Sequence, residues 1–239
     1  MTATAADFDW AAYDGVLFDL DGVITPTAEI HEHAWAELFA SYDFTAADYL
    51  AHIDGRPRYD GVRSFLASRG VELPEGDPSD PPGDGTVCAL GNRKNALFNS
   101  ILERDGIDTY PGSAATLALL ADLDVPAAIV SSSKNARTVL ESAGLGDRFD
   151  VVVDGVVAAA EGIVGKPAPD MFLHATQLLG TAPQRTVVVE DAVSGVAAGA
   201  AGGFAVVIGV DRGAGEAALL SNGATFVVGD LAELLGDHG

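Results

Sequence analysis

Cysteine is almost absent from the 239-residue chain, in which Cys88 is the single example. One cysteine cannot form an intrachain disulfide, and it cannot supply the thiolates of a cysteine-based zinc site. The sequence therefore excludes both kinds of cross-link.

Basic residues are also scarce. There are 13 Lys and Arg against 35 Asp and Glu, which gives a formal net charge of −22. Such an acidic surface repels nucleic acid and anionic membranes, and we expect neither as a partner. An anionic substrate would need its own local cluster of Lys, Arg and backbone N–H groups.

Long hydrophobic runs are missing as well. No run approaches the about 18 uninterrupted apolar residues that a membrane-spanning helix needs. The first residues, Met1 to Asp9, are acidic and lack the basic and apolar regions of a secretory signal. We therefore expect a cytoplasmic protein.

Apolar residues nevertheless make up 48% of the chain, which is enough for one good core and a smaller second lobe. Short apolar runs without polar alternation predict strands that are covered on both faces, and hence a parallel sheet. The stretches between the later runs have helical spacing. The sequence thus predicts an α/β fold with a Rossmann-like parallel sheet, whose strands lie near residues 16–18, 126–130, 149–153, 186–189, 204–210 and 225–228.

The segment between the first two runs has a different pattern, with helices predicted near residues 27–42, 48–53, 59–68 and 92–104. We interpret residues 25–108 as an inserted α-helical cap, and residues 1–24 with 109–239 as the α/β core. Within the cap, residues 72–86 are rich in Pro, Gly and Asp, which predicts an exposed and mobile loop.

Two carboxylates end the first strand. Asp19 and Asp21 are two residues apart, so their side chains point the same way, and Gly22 permits a sharp turn after them. Acids held this close are costly unless a cation or a shared proton relieves their repulsion. Alone, this pattern could equally be a polar strand end that leads into a solvated turn.

Polar residues follow other strand ends too. Ligands bind at the carboxyl ends of parallel strands. Dense oxygen ligands suit Mg²⁺, and a serine before a helix suits phosphate oxygens. Each group alone has a plain structural explanation, such as a helix cap, but their joint occurrence in this order predicts a phosphoryl-transfer site with Asp19 as candidate nucleophile. The groups are Asp19 with Asp21, Ser131 to Asn135, Lys166 and Glu190 with Asp191.

This combination resembles the four motifs of the haloacid dehalogenase superfamily, and the resemblance covers nearly the whole chain. It implies that Asp19 is phosphorylated and that Asp21 is the general acid and base. It also implies that Ser131 and Lys166 hold the transferring phosphoryl group. Mg²⁺ would be surrounded by Asp19, the carbonyl of Asp21, Glu190 and Asp191.

Within this superfamily the chain resembles the β-phosphoglucomutase family. The cap carries this resemblance in His31 with Ala34 and Trp35 and in Arg93–Asn95, and the core carries it in the stretches Asp19–Thr25, Ser133–Asn135 and Gly165–Asp170. The resemblance implies that Arg58 binds the non-reacting phosphate. The residues that it assigns to substrate binding are Thr27, His31, Arg58, Lys94, Asn95, Ser133, Lys134 and Asn135. Pro26 and the long 72–86 segment depart from that family's pattern, so the identity of the sugar stays open.

The resemblance implies interconversion of β-glucose 1-phosphate and glucose 6-phosphate through the 1,6-bisphosphate, with Mg²⁺ as cofactor. A sugar-phosphate phosphatase, acting on a hexose or trehalose phosphate, shares every core residue and is the main alternative. A binding or regulatory protein on the same fold is a third reading, although such a protein has no need of Asp21. We expect a small-molecule sugar phosphate as the partner, and a monomer or weak homodimer.

Overall fold

A six-stranded parallel sheet forms the centre of the computed structural model, which describes residues 4–5 and 8–236. The strand order is β3-β2-β1-β4-β5-β6. This arrangement confirms the predicted α/β fold with a Rossmann-like parallel sheet. The strands are β1 (Gly15–Phe18), β2 (Ala127–Val130), β3 (Val151–Val153), β4 (Thr186–Glu190), β5 (Val206–Val210) and β6 (Phe226–Val228).

Both faces of the sheet are covered, because successive side chains of each strand enter different hydrophobic clusters. In β1, Val16 and Phe18 pack in one cluster, while Leu17 packs in the other with Val188 of β4. All four residues are fully buried. The apolar runs lack polar alternation because both faces of these strands are buried, as the sequence predicts.

Helices connect the strands and form the inserted segment. Those of the insertion are α1 (Thr27–Leu38), α2 (Ala46–His52), α3 (Arg58–Ser68) and α4 (Val87–Asp105). Those around the sheet are α5 (Pro111–Asp122), α6 (Ala136–Ser142), α7 (Gly155–Glu161), α8 (Asp170–Leu179), α9 (Val193–Ala201) and α10 (Glu216–Ser221). Within the described residues, none of these helices combines the length and the apolar character that crossing a bilayer requires.

Three helices differ from the sequence-based prediction. Helix α1 ends at Leu38 and not near Tyr42, and a short 3₁₀ helix at Ala40–Tyr42 follows it. Helix α4 starts at Val87 and not near Asn92, because the Thr86 side chain accepts a hydrogen bond from the backbone N–H of Ala89 and caps the helix earlier. Helix α7 was not predicted, and the Asp154 side chain caps it by accepting from two backbone N–H groups.

Helices α1–α4 lie between β1 and β2 in the chain and have a hydrophobic cluster of their own, centred on Phe39 and Phe65. The C-terminal half of α4 packs on the sheet instead, because Phe98 and Leu102 belong to the hydrophobic cluster on one face of the sheet. The exact division into a core and a cap of residues 25–108 stays a prediction.

Residues 72–86 contain neither helix nor strand and are largely exposed, as predicted. Side-chain hydrogen bonds tie the segment to the start of α4. The Asn92 side-chain amide donates to the carbonyl of Asp80 at 2.8 Å, and the Thr86 hydroxyl donates to the Asp80 carboxylate at 2.8 Å. The mobility of this loop stays a prediction.

The sheet order determines which strand ends meet. Strand β1 lies between β2 and β4, and Phe18 is in register with Ile129 on one side and Val189 on the other. The residues that follow these three strands therefore come together at the carboxyl edge of the sheet.

Candidate active site at the carboxyl edge of the sheet

Lys166 connects the ends of three strands. Its ammonium donates to Asp19 Oδ1 at 2.6 Å, to Glu190 Oε1 at 2.6 Å and to the carbonyl of Val130 at 2.9 Å. Burial lowers the pKa of Lys166, but the two carboxylates outweigh burial and raise it, so the group stays an ammonium. A fixed positive charge thus lies beside Asp19.

Asp19, Glu190 and Asp191 form a buried carboxylate cluster, in which one oxygen from each lies within 4.8 Å of the others. Two glycines leave room for the carboxylates of this cluster, because any side chain at these positions would collide with them. A Cβ at Gly22 would lie 1.9 Å from Asp191 Oδ2, and a Cβ at Gly195 would lie 1.6 Å from Glu190 Oε1. Gly22 also has a φ of +90°, which disfavours other residues.

The charges of this cluster fit a divalent cation. Three buried carboxylates face the single ammonium of Lys166, so two negative charges are left without a partner among these four groups. Burial raises the pKa of both Asp19 and Asp191 well above the usual range. A bound cation would relieve this cost, and carboxylate oxygens are the ligands that hard divalent cations prefer.

The Asp21 side chain lies apart from this cluster. The Thr27 hydroxyl donates to its Oδ1, the Ser131 hydroxyl donates to its Oδ2 at 3.3 Å, and His31 Nε2 lies 3.3 Å from Oδ1. Burial raises the pKa of Asp21, but His31 and the Thr27 hydroxyl together outweigh burial and lower it to about 2. Asp21 is therefore an ionised carboxylate that faces the site and can accept a proton.

The inserted helices contribute His31 and the buried Lys94, which contact each other. Lys94 Nζ contacts His31 Nδ1 and lies 5.3 Å from the ring centroid of Trp35. Burial, with the nearby Arg58 guanidinium, lowers the pKa of Lys94 well below its ordinary value. Burial and the Lys94 charge also lower the pKa of His31.

Arg58 is fixed through a shared amide. Its guanidinium donates to Asn95 Oδ1 at 2.7 Å, and the side-chain amide of Asn135 donates to the same oxygen at 2.5 Å. This small network joins α3, α4 and the loop before α6. It orients the guanidinium at the wall of a cavity.

That cavity has a volume of about 70 Å³ and lies between the carboxyl edge of the sheet and the inserted helices. Eight of the predicted site residues line it, namely Asp19, Asp21, His31, Arg58, Lys94, Ser133, Lys134 and Asp191.

Thr27, Asn95 and Asn135 were predicted to bind substrate, and they are not among the residues that line the cavity. Thr27 is fully buried and donates to Asp21, while Asn95 Oδ1 accepts from both Arg58 and Asn135. In this geometry the three residues position wall residues and do not face the cavity. Ser131 is fully buried and is also not a lining residue, and its hydroxyl accepts from the backbone N–H of Ser133.

Several lining residues were not predicted, notably Asp54, Arg56 and Tyr49. Burial, with the nearby Glu190 carboxylate, raises the pKa of Asp54 to about 7. Asp54 directly precedes the turn Gly55-Arg56-Pro57-Arg58. An acidic residue next to a turn with two arginines was the feature of the sequence that could have identified Asp54 as a site residue.

Comparisons with known proteins show which family the chain resembles. A sequence model of the haloacid dehalogenase-like hydrolases matches residues 13–203. The chain is 49% identical over 237 residues to a beta-phosphoglucomutase of Mycobacterium bovis, which covers 92% of this chain and 90% of the relative. It is 33% identical over 196 residues to hexitol phosphatase A of Escherichia coli, which covers 81% of each chain. A crystal structure of beta-phosphoglucomutase from Clostridium difficile superposes with a TM-score of 0.76 at 25% identity, covering 95% of each chain.

Proposed function

The chain belongs to the haloacid dehalogenase-like hydrolase family of enzymes, and from that premise we propose that it is a phosphoryl-transferring mutase. The proposed reaction interconverts β-glucose 1-phosphate and glucose 6-phosphate through β-glucose 1,6-bisphosphate. One observation carries the proposal: Asp19 is paired with Lys166, while Asp21 is held separately by Thr27 and His31. Two neighbouring carboxylates in different surroundings suit two different chemical roles.

In the proposed first step, the 6-hydroxyl of β-glucose 1-phosphate attacks the phosphorus of phosphorylated Asp19. The P–O bond to Asp19 breaks as the bisphosphate forms, and the ionised Asp21 accepts the hydroxyl proton. In the second transfer an Asp19 carboxylate oxygen attacks the 1-phosphate of the bisphosphate, the P–O bond to the sugar breaks, and the leaving sugar oxygen takes back the proton that Asp21 accepted in the first step. The Lys166 ammonium, 2.6 Å from Asp19 Oδ1, stabilises the negative charge of the transferring group.

We assign a Mg²⁺ site to the carboxylate cluster of Asp19, Glu190 and Asp191, together with the main-chain carbonyl of Asp21. When bound, Mg²⁺ would neutralise the excess charge of the cluster and stabilise charge on the phosphoryl oxygens. The carboxylate of Asp21 stays free for proton transfer, since it points towards Thr27, Ser131 and His31.

A mutase must also hold a second phosphate. Arg58 is the proposed ligand of that distal group, because it lines the cavity and a guanidinium matches phosphate geometry. His31, Lys94, Ser133 and Lys134 would contact the sugar, and Thr27, Asn95 and Asn135 would support these groups. After the first transfer, the bisphosphate would turn end for end beneath a cap formed by residues 25–108, whose closure would exclude water.

A sugar-phosphate phosphatase is the second candidate, and the 33% identity to hexitol phosphatase A supports it. Both reactions use the same aspartyl-phosphate, which transfers to a sugar hydroxyl in one case and to water in the other. The mutase is preferred on the 49% identity to the Mycobacterium bovis enzyme and on the partly buried Arg58–Asn95–Asn135 network. A cytoplasmic location and a monomeric or weakly dimeric state stay predictions.

The covalent route is tested by Asp19→Asn. An amide is a poor nucleophile, so turnover of sugar phosphates should fall by at least about 10³-fold. Label from a labelled sugar phosphate should no longer attach to the protein. Asp14→Asn is a matched control, because Asp14 is an exposed partner of Arg185 at 2.7 Å and should keep full activity. Substantial turnover by Asp19→Asn would refute the covalent route.

A further inference from the structure

The loop between α2 and α3 accepts hydrogen bonds from two serine hydroxyls of the core. Ser132, which follows β2, donates to the carbonyl of Gly55 at 2.9 Å. Ser194, at the start of α9, donates to the carbonyl of Asp54 at 3.1 Å. Two separate core elements thus bind consecutive carbonyls of one loop in the inserted segment.

The fit around these bonds is close. Gly55 has a φ of +65°, and a Cβ there would lie 2.2 Å from Ser194 Oγ and 3.0 Å from Ala192 Cβ. A Cβ at Gly165, next to Lys166, would lie 2.7 Å from Pro57 Cγ. The loop therefore meets the core at three places, and two of them leave no room for a methyl group.

The contacts between this loop and the core matter because the loop supplies part of the cavity wall. Asp54, Gly55, Arg56 and Arg58 all line the cavity, and Arg58 is the first residue of α3. If the loop left the core, this side of the cavity would open to water. The same movement would displace the guanidinium assigned to the distal phosphate.

We propose that Ser132 and Ser194 are positioning residues that act as a latch: they hold the cap loop of residues 54–57 on the core and so favour transfer to sugar over transfer to water. This inference rests on the proposed function. In the open form both hydroxyls and both carbonyls would be hydrated, so each bond contributes a modest net preference for the closed form. Loss of one bond should increase the open population by about 2- to 12-fold.

The test uses Ser132→Ala, Ser194→Ala and the double variant of the full chain. The first measurement is the ratio of free phosphate to glucose 6-phosphate formed from β-glucose 1-phosphate with Mg²⁺ and a trace of β-glucose 1,6-bisphosphate. The second is amide hydrogen exchange of residues 53–58 in the absence of sugar phosphate. The matched control is Ser64→Ala, which removes a hydroxyl that contacts His52 at 3.2 Å within the same inserted segment.

Each single variant should raise the phosphate ratio by about 2- to 12-fold, and the double variant should raise it further. Exchange in residues 53–58 should accelerate in parallel, while Ser64→Ala should match the unaltered protein in both measurements. Gly55→Ala, which crowds Ser194 from the cap side, should shift both measurements in the same direction.

Failure of the latch and failure of the proposed function give different results. If the unaltered protein forms glucose 6-phosphate and the double variant has an unchanged product ratio, the latch proposal is overturned. If the unaltered protein forms none, the mutase proposal fails, and loop exchange alone then decides on the latch. Unchanged exchange in the double variant would refute the latch, and faster exchange would support it.

Discussion

Asp19 and Asp21 are only two residues apart, but different groups surround them. Asp19 contacts the Lys166 ammonium and belongs to the carboxylate cluster, whereas Asp21 receives the hydroxyls of Thr27 and Ser131. The first environment suits a nucleophile that acts on a phosphoryl group near a cation. The second leaves an ionised carboxylate with a pKa of about 2 that can accept the proton of an attacking sugar hydroxyl. This difference is the residue-level basis for assigning two roles.

Arg58 should distinguish the two candidate reactions. Arg58→Ala should lower conversion of β-glucose 1-phosphate to glucose 6-phosphate by about 10- to 100-fold, because a charged phosphate contact is lost. Hydrolysis of a small ester without a second phosphate should change by less than about 3-fold. The measurement is the initial rate of each reaction for the same preparation.

Arg63→Ala is the matched control for Arg58→Ala. Arg63 lies on the same helix, is exposed, and pairs with Asp60 at 2.9 Å. Its loss should leave both rates near those of the unaltered protein. Equal losses of both activities in Arg58→Ala would remove Arg58 from its assigned role.

Single residues were predictable where strand ends carried chemistry. Asp19, Lys166 and Glu190 were singled out in the sequence, and the sheet order brings them within hydrogen-bonding distance. Which side chains face the cavity was less predictable, because that depends on tertiary packing and not on spacing. Thr27 shares a helix face with His31, but Thr27 is fully buried one turn earlier in α1, and its hydroxyl donates to Asp21. Asp54 was missed for the same reason.

Among the elements, α4 has particular importance because it carries Lys94, Asn95 and the residues that pack on the sheet. Its first turn depends on Thr86, whose side chain accepts from the backbone N–H of Ala89 at 3.0 Å. The same hydroxyl ties the 72–86 segment to the helix through Asp80. One side chain therefore determines both where α4 begins and how the preceding loop is held.

Thr86→Ala should lower the free energy of unfolding by about 1 kcal/mol, the usual cost of losing a helix N-cap. Urea unfolding followed by circular dichroism measures this difference. Thr86→Ser keeps the capping oxygen and should retain most of the stability. If the alanine and serine variants were equally destabilised, the loss would lie in packing of the methyl group and not in the cap.

The strands were more predictable than the helix ends. Val-rich runs such as Thr186 to Val189 need only burial on both faces to become strands, and burial follows from their composition. Helix α7 was missed because Gly155 to Ala160 is almost uniformly small and apolar and lacks an amphipathic pattern. The start of α4 was placed late because the signal of Thr86 lay beside a segment dense in Pro and Gly.

Charge is the dominant property of the whole molecule. The chain has a net charge of −22, and three buried carboxylates of its candidate site face one ammonium. Buried charge of one sign destabilises the folded state unless a counter-ion binds. We therefore expect stability, and not only activity, to depend on a divalent cation.

Saturating Mg²⁺ should raise the melting temperature by about 5–10 °C, the shift expected for a ligand at 100 times its dissociation constant in a chain of this size. EDTA should abolish turnover, and added Mg²⁺ should restore it. NaCl at matched ionic strength separates general screening from specific binding. Asp191→Asn removes one ligand and should lose most of the Mg²⁺-specific shift. The same shift in Asp191→Asn would place the cation elsewhere.

The most direct test of the account is the product formed from β-glucose 1-phosphate with Mg²⁺ and a trace of β-glucose 1,6-bisphosphate. Glucose 6-phosphate and free phosphate are measured in the same reaction. The account predicts rapid formation of glucose 6-phosphate with little free phosphate, because a closed cap excludes water from the aspartyl-phosphate. Free phosphate without glucose 6-phosphate would contradict the mutase proposal and identify the protein as a phosphatase.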